Sequence, residues 1–284
     1  MKARKKWLFV FAGLLVVFLS CIYIFIPGQL EVSTVKVVKC NASGAARVIY
    51  PDTGRRKWWP ATLGYPIAGA VINVFPLGGV DSTILRMHSV VRTSLNPFKR
   101  VRQYGDAFRM KSAMSLVLSE LGPFLEKSKN IYGMDVQDSM SRDSAVVKTE
   151  IVSFSYPDTA EIYRAIRSIR SYISHQKAKE TGYPMMNVVK VKDGSFKTMI
   201  AIPCDRMLAK TENFLSLRFV PWKVLTGEVH GGTSVAEEAM RQLRFYLDDH
   251  QKTAMAIPFQ SLVTERNLEP DTSRWVTRVI QVVP

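Results

Sequence analysis

Residues 149–190 read TEIVSFSYPDTAEIYRAIRSIRSYISHQKAKETGYPMMNVVK, and they decide the fold because the chain writes this stretch twice. A shift of 74 positions lays Ala165, Arg167, Arg170, Tyr172 and Pro184 on Ala239, Arg241, Arg244, Tyr246 and Pro258 without a gap. The same shift lays Ile166, Ile169, Ile173, Val188 and Val189 on Met240, Leu243, Leu247, Leu262 and Val263, so apolar positions stay apolar. A register held over that length means two copies of one supersecondary unit packed together, and makes the C-terminal half a single two-fold domain.

Each copy reads strand, helix, strand, strand. In the first, Val146 to Phe154 is a strand and Tyr156-Pro157-Asp158-Thr159 a helix entry. Ala160 to His175 is a helix with Ile162, Ile166, Ile169 and Ile173 on one face. Met185 to Lys190 and Phe196 to Ile202 form a hairpin around Lys192-Asp193-Gly194. In the second, Trp222 to Val229 is the strand, Gly231-Gly232-Thr233-Ser234 caps a helix from Val235 to about Asp249, and Phe259 to Thr264 pairs with Trp275 to Val283 across a longer loop.

This half resembles the GyrI-like effector-binding domain, through Ala256-Ile257-Pro258-Phe259, Thr264-Glu265-Arg266, Glu269-Pro270-Asp271 and the terminal Val282-Val283-Pro284. The resemblance implies two βαββ units around a pseudo-two-fold axis, with a cleft along it for small molecules, often cationic or aromatic. It also implies a buried Glu four residues before the terminal Pro. That position is Ile280 here, and its counterpart in the first copy is Met199. The carboxylate that would neutralise a cation is therefore replaced by apolar side chains, with Glu228 and Glu265 as substitutes.

Ahead of the repeats, Leu30 to Val38 reads as a strand, a short helix starts at Asn41, and Val71 to Pro76 and Ser82 to Thr93 are β-rich runs. From Ala107 to about Lys127, Met110, Met114, Val117, Leu118, Leu121, Phe124 and Leu125 recur at three and four, the period of one long amphipathic helix with Pro123 as kink or stop. This order, with Ile26-Pro27 and Trp58-Trp59-Pro60, resembles the START-like, helix-grip (SRPBCC) family in its membrane-tethered bacterial members. The resemblance implies a sheet wrapped on the long helix around an apolar cavity, trimmed here because little sequence lies between Trp59 and Val71. Trp58 and Trp59 read first as core packing, with a ligand wall or membrane-interface contact as alternatives.

Trp7 to Ile26 carries no charge over twenty residues, enough to span a bilayer at about 1.5 Å per residue. Lys2, Arg4, Lys5 and Lys6 precede it, so positive-inside orientation predicts a single-pass anchor, N-terminus in the cytoplasm and body outside, periplasmic in a Gram-negative envelope. A cleaved signal would be shorter, and Cys21 is a poor lipidation site. The fold class expected is α+β: an anchor over 1–28, a helix-grip domain over 29–145, and the two-fold domain over 146–284.

The formal charge is +15 over 284 residues, of which the N-terminal cluster supplies four. Basic residues elsewhere are scattered without interleaved aromatics, which argues against nucleic acid as a partner. Cys40 and Cys204 read as buried thiols, with pairing across the domains as the alternative. His88, His175, His230 and His250 are isolated, and no metal spacing, nucleophile elbow or phosphate loop is present, so no catalytic residue, metal or cofactor is assigned. The function expected is that of a membrane-anchored protein holding a small or lipid-like molecule in the C-terminal cleft, at Tyr183, Trp222, Glu228, Phe259, Glu265 and Trp275. The alternatives are an envelope interaction protein with filled pockets and a hydrolase of a small apolar compound.

Overall fold

The computed structural model describes residues 2–50, 69–141 and 144–284, and the chain divides into two compact units, Met1–Lys127 and Ser128–Pro284. Each is taken by itself.

The first unit opens with helix α1 (Lys2–Phe25), followed by β1 (Gln29–Val38), α2 (Ala42–Ile49), β2 (Ala70–Pro76), β3 (Thr83–Arg92) and the long helix α3 (Pro97–Leu125). The strands form an antiparallel sheet in the order β1-β3-β2, and α3 lies against β1 and β3. Val32, Val38, Ile72, Leu85 and Met87 from the strands and Met114, Leu118, Leu121 and Leu125 from α3 are buried, the period-2 and period-3.6 patterns meeting in one core. Among the described residues the unit thus consists of a three-stranded antiparallel sheet with a long helix against it. Trp58 and Trp59 lie outside the described residues.

Two expectations for this unit need correction. Helix α3 starts ten residues before Ala107, because Asn96 caps it by accepting from the backbone N–H groups of Phe98 and Lys99, and Pro97 takes the first helical position where no donor is needed. The membrane-spanning anchor at Trp7 to Ile26 is also overturned: among the described residues no helix is long and apolar enough to cross a membrane. The end of the uncharged run is tied to the unit itself. The Tyr23 hydroxyl donates to the Leu95 carbonyl, the Arg100 guanidinium sits 4.7 Å from the Tyr23 ring centroid, and Arg100 Nε donates to the carbonyl of buried Ile26 at 2.7 Å.

The second unit begins with α4 (Ser128–Tyr132) and β4 (Gln137–Met140). The first repeat follows as β5 (Ser144–Ser153), α5 (Thr159–His175), β6 (Met185–Lys190) and β7 (Phe196–Cys204). Then come β8 (Leu215–Phe219) and the second repeat, β9 (Lys223–His230), α6 (Thr233–Asp249), β10 (Phe259–Leu262) and β11 (Val276–Val283). One antiparallel sheet holds all eight strands in the order β4-β9-β11-β10-β6-β7-β5-β8. The order reads the same from either end, with the pseudo-two-fold between β10 and β6. Residues 128–141 and 144–145 therefore fold with the second unit.

Strands β4 and β8 are exchanged across the axis. β4 runs directly into the first repeat yet pairs with β9 of the second, and β8 runs into the second repeat yet pairs with β5 of the first. The two linkers meet: the Ser141 N–H donates to the Trp222 carbonyl at 2.8 Å, and the Trp222 N–H donates to Ser141 Oγ at 2.8 Å.

Both helices cover one face of this sheet. Strand alternation sends Val147, Ile200, Ile202 and Met186 to α5, where Ile162, Ile166, Ile169 and Ile173 meet them, and sends Leu225, Val279 and Val283 to α6 with Leu243 and Leu247. Helix α5 starts on a full capping box, Asp158 accepting from the Glu161 N–H while the Glu161 carboxylate accepts from the Asp158 N–H. Helix α6 begins at Thr233 with no side-chain cap, so Gly231 and Gly232 supply only the turn. Gly231 holds φ +141, where a Cβ would lie 2.7 Å from the Val235 side chain. Cys40 and Cys204 are buried free thiols.

Candidate functional site: a cleft in the concave face of the two-fold sheet

The face of the sheet opposite the helices is concave. Phe219 on β8 and Phe259 on β10 are separated by three intervening strands in the sheet order, a path of roughly 19 Å if the sheet were flat. Their rings meet edge to face with centroids 6.2 Å apart. The sheet is therefore curled into a half-barrel, and the exchanged strands β4 and β8 form its two lips.

A cleft of about 550 Å³ occupies the concavity. Its apolar wall comes from Met140, Val146, Met185, Phe219, Val224, Phe259 and Ile280, among others, and its polar groups are Ser139, Ser141, Thr181, Thr226, Asp205 and Arg278. The placement follows from register. Phe259 pairs with Ile280 and Ile280 with Thr226, so these three share the concave face, while their neighbours Gln260, Val279 and Leu225 turn to the helices.

The charged groups in the wall are already engaged. Asp205 Oδ1 accepts the Lys179 N–H at 3.0 Å and lies 3.6 Å from Arg206 Nε. Arg278 Nη2 donates to Glu228 Oε2 at 3.0 Å across the β11–β9 pair. Both partners of that pair are about two-fifths exposed, 42% and 44%, and such exposed pairs hold by roughly 0–1 kcal/mol. Cys204 borders the cleft but alternates in phase with Ile200 and Ile202 and is buried in the α5 core; its thiol donates to the Arg206 carbonyl, and burial pushes its pKa up, so it stands as a thiol rather than a thiolate at neutral pH. Among the described residues no cluster of His, Cys, Asp and Glu has the geometry to hold a metal.

Of the six residues singled out in the sequence, Phe259 lines the cleft and Glu228 holds a wall residue at its edge. Trp222 fastens Ser141 through its backbone while its indole is 41% exposed, and Tyr183, next to the wall residue Gly182, is 49% exposed. Glu265 and Trp275 belong elsewhere. Glu265 forms a two-pronged pair with Arg170 of α5, with Nη1 to Oε1 at 2.6 Å. Trp275 is buried, its Nε1 donating to the Glu269 carbonyl at 2.8 Å and its ring lying 4.9 Å from the guanidinium of Arg266. Arg266 in turn is 4% exposed and donates to Thr277, on the helix-covered face. Neither Glu228 nor Glu265 substitutes for the absent carboxylate, since neither is in the cleft wall.

Only Phe259 of the cleft lining is among those six; the lining residues that the sequence does not single out include Ser139, Met140, Phe219 and Arg278. Arg278 was within reach, because it alternates in phase with Ile280. The other three sit on strands too short for any period to show.

No family profile matches this chain, and no curated protein matches it. Similar solved structures include the EcmrR–DNA complex in EcmrR-RPo determined by cryo-EM, 14% identical over 66% of this chain and 71% of that one, with a TM-score of 0.48. The crystal structure of the EcmrR C-terminal domain is 13% identical over 53% of this chain and 98% of that one, with a TM-score of 0.45. SAV2435 bound to tetraphenylphosphonium is 14% identical over 53% and 94%, with a TM-score of 0.35. With every score below 0.5, the chemistry of the cleft rests on this chain's own residues.

Proposed function

We propose that the second unit binds a small, largely apolar molecule in the half-barrel cleft, and that this is the protein's function. The observation that supports the reading is the cleft itself: about 550 Å³, walled by Phe, Met, Val and Ile with a few hydroxyls, in the size and composition range of small-molecule sites. A sheet whose inner face were filled would leave no such volume, which disfavours an interaction protein with closed pockets. Among the described residues the wall carries no His, and the thiol of Cys204 packs in the helix-covered core, which disfavours a hydrolase. The resemblance to GyrI-like domains agrees in placing a cleft along the two-fold axis.

The test is a calorimetric titration of the full chain with 2-naphthylmethanol, a neutral aromatic probe small enough for the cleft. One site per chain is expected, and Phe259→Ala should weaken it by about tenfold through loss of a stacking and burial partner. A probe that binds with the same affinity to the Phe259→Ala chain would contradict the placement, and no binding at all would contradict the function.

A further inference from the structure

We propose that the cleft selects an apolar molecule carrying one carboxylate or comparable anionic group, with Arg278 as the residue that recognises it. The inference rests on the binding role proposed for the cleft and adds the sign of the ligand's charge.

Among the described residues two charged ones line the cavity, Asp205 and Arg278, and they are not equally available. Asp205 is satisfied by a backbone N–H, which is fixed, and stands beside Arg206. A cation entering the cleft would meet the positive charge of Arg206 beside that carboxylate. Arg278 is held by Glu228 alone, a side chain outside the cleft wall, through a half-exposed contact that costs little to open. When Glu228 swings to solvent, Arg278 presents a planar fork of donors into the cavity, the geometry that pairs with a carboxylate through two parallel hydrogen bonds.

The remaining polar equipment agrees. Ser139, Thr181 and Thr226 place hydroxyls in the wall, able to donate to a ligand oxygen. Thr226 and Glu228 flank the same stretch of β9, and Ile280 opposite Thr226 keeps the floor apolar. Glu228 thus acts as a stand-in for the ligand's own anionic group, closing Arg278 while the cleft is empty.

The test uses three probes of one shape: 2-naphthoate, 2-naphthylmethanol and 2-naphthylmethylammonium, titrated into the full chain at low ionic strength. The expected order places naphthoate about tenfold tighter than the alcohol and the ammonium weakest, as for a charge-assisted pair in a partly dry site. In Arg278→Met, which keeps the side-chain stem, naphthoate should fall to the alcohol's affinity while the alcohol is unchanged. Glu228→Gln should strengthen naphthoate a few-fold by freeing the guanidinium. The proposal is overturned if the ammonium binds most tightly, or if Arg278→Met leaves the naphthoate-to-alcohol ratio where it was. Alcohol binding without any preference for naphthoate would overturn the charge assignment alone. Failure of all three probes to bind would overturn the cleft's role and this inference with it.

Discussion

Replacing Ile166 by Ala should destabilise the second unit by about 2–5 kcal/mol, whereas the same change at its repeat counterpart Met240 should cost well under half of that. The two positions are equivalent in sequence but not in burial. Ile166 is 0% exposed at the centre of the cluster that joins α5 to β5, β6 and β7, so truncation leaves a cavity walled on all sides. Met240 is only partly buried at the edge of the α6 cluster, where water and a flexible neighbour can fill the gap. The inequality recurs one turn earlier, because Ile162 of the first copy is matched by Ala236 in the second. Hydrogen exchange at the β7 amides reads the unit separately from the rest of the chain. Equal costs at the two sites would mean that the packing of the copies is symmetric and that the core described here is wrong in one of them.

A carboxylate introduced as Ile280→Glu should reverse the preference of the cleft. Ile280 lies opposite Phe259 on β10 and Thr226 on β9, so the new group would face the cavity directly. At pH 7.5 the affinity for 2-naphthylmethylammonium should rise by about tenfold or more and that for 2-naphthoate should fall by a similar factor. The change must also depend on pH in one direction. Partial burial raises the pKa of a Glu above its usual value of about 4.3, so the gain is present above that raised pKa and is lost as the pH falls through it. Calorimetry at pH 7.5 and pH 4.5 separates the two states. If neither probe responds to the substitution, position 280 does not face the bound molecule and the register of β11 in the site is refuted.

The chain shows its repeats plainly and hides what the repeats build. The 74-residue shift locates α5 and α6, because isoleucines and leucines at helical spacing with Arg and Tyr between them leave little else to form. The central strands are equally legible, since Met185 to Lys190 and Val276 to Val283 combine β-branched residues with turn signals at their ends. Strands β4 and β8 are not. Gln137–Met140 is three polar residues and a Met, all exposed, and Leu215–Phe219 is five residues long, so neither carries a period, and both acquire strand character only from partners more than sixty residues away. The exchange of these two strands, and hence the lips of the cleft, is a tertiary fact with no local signature.

The candidate site suffered for a different reason. Tyr183, Trp222 and Trp275 are aromatics near strand ends, and proximity to an end does not say which face a side chain takes. Trp275 is two residues before Thr277, which meets Arg266 on the helix-covered face, so its parity already excluded the face on which Ile280 stands. The uncharged run from Trp7 to Ile26 misled in the same way. Hydropathy records that a segment is apolar, while the contacts of Tyr23 and Ile26 with Leu95 and Arg100 record where its C-terminal end is fastened.

The most direct test of the central claim is a methyl NMR titration of the full chain with 2-naphthoate. The methyl groups of Met140, Val146, Met185, Val224 and Ile280 come from five different strands and converge only if the sheet curls into the half-barrel. These five are expected to shift together and to saturate at one probe per chain, while the core methyls of Ile166 and Leu243 on the helix-covered face stay in place. Shifts confined to other parts of the chain, or shifts at these positions that do not saturate at a common concentration, would show that the concave face is not the binding site.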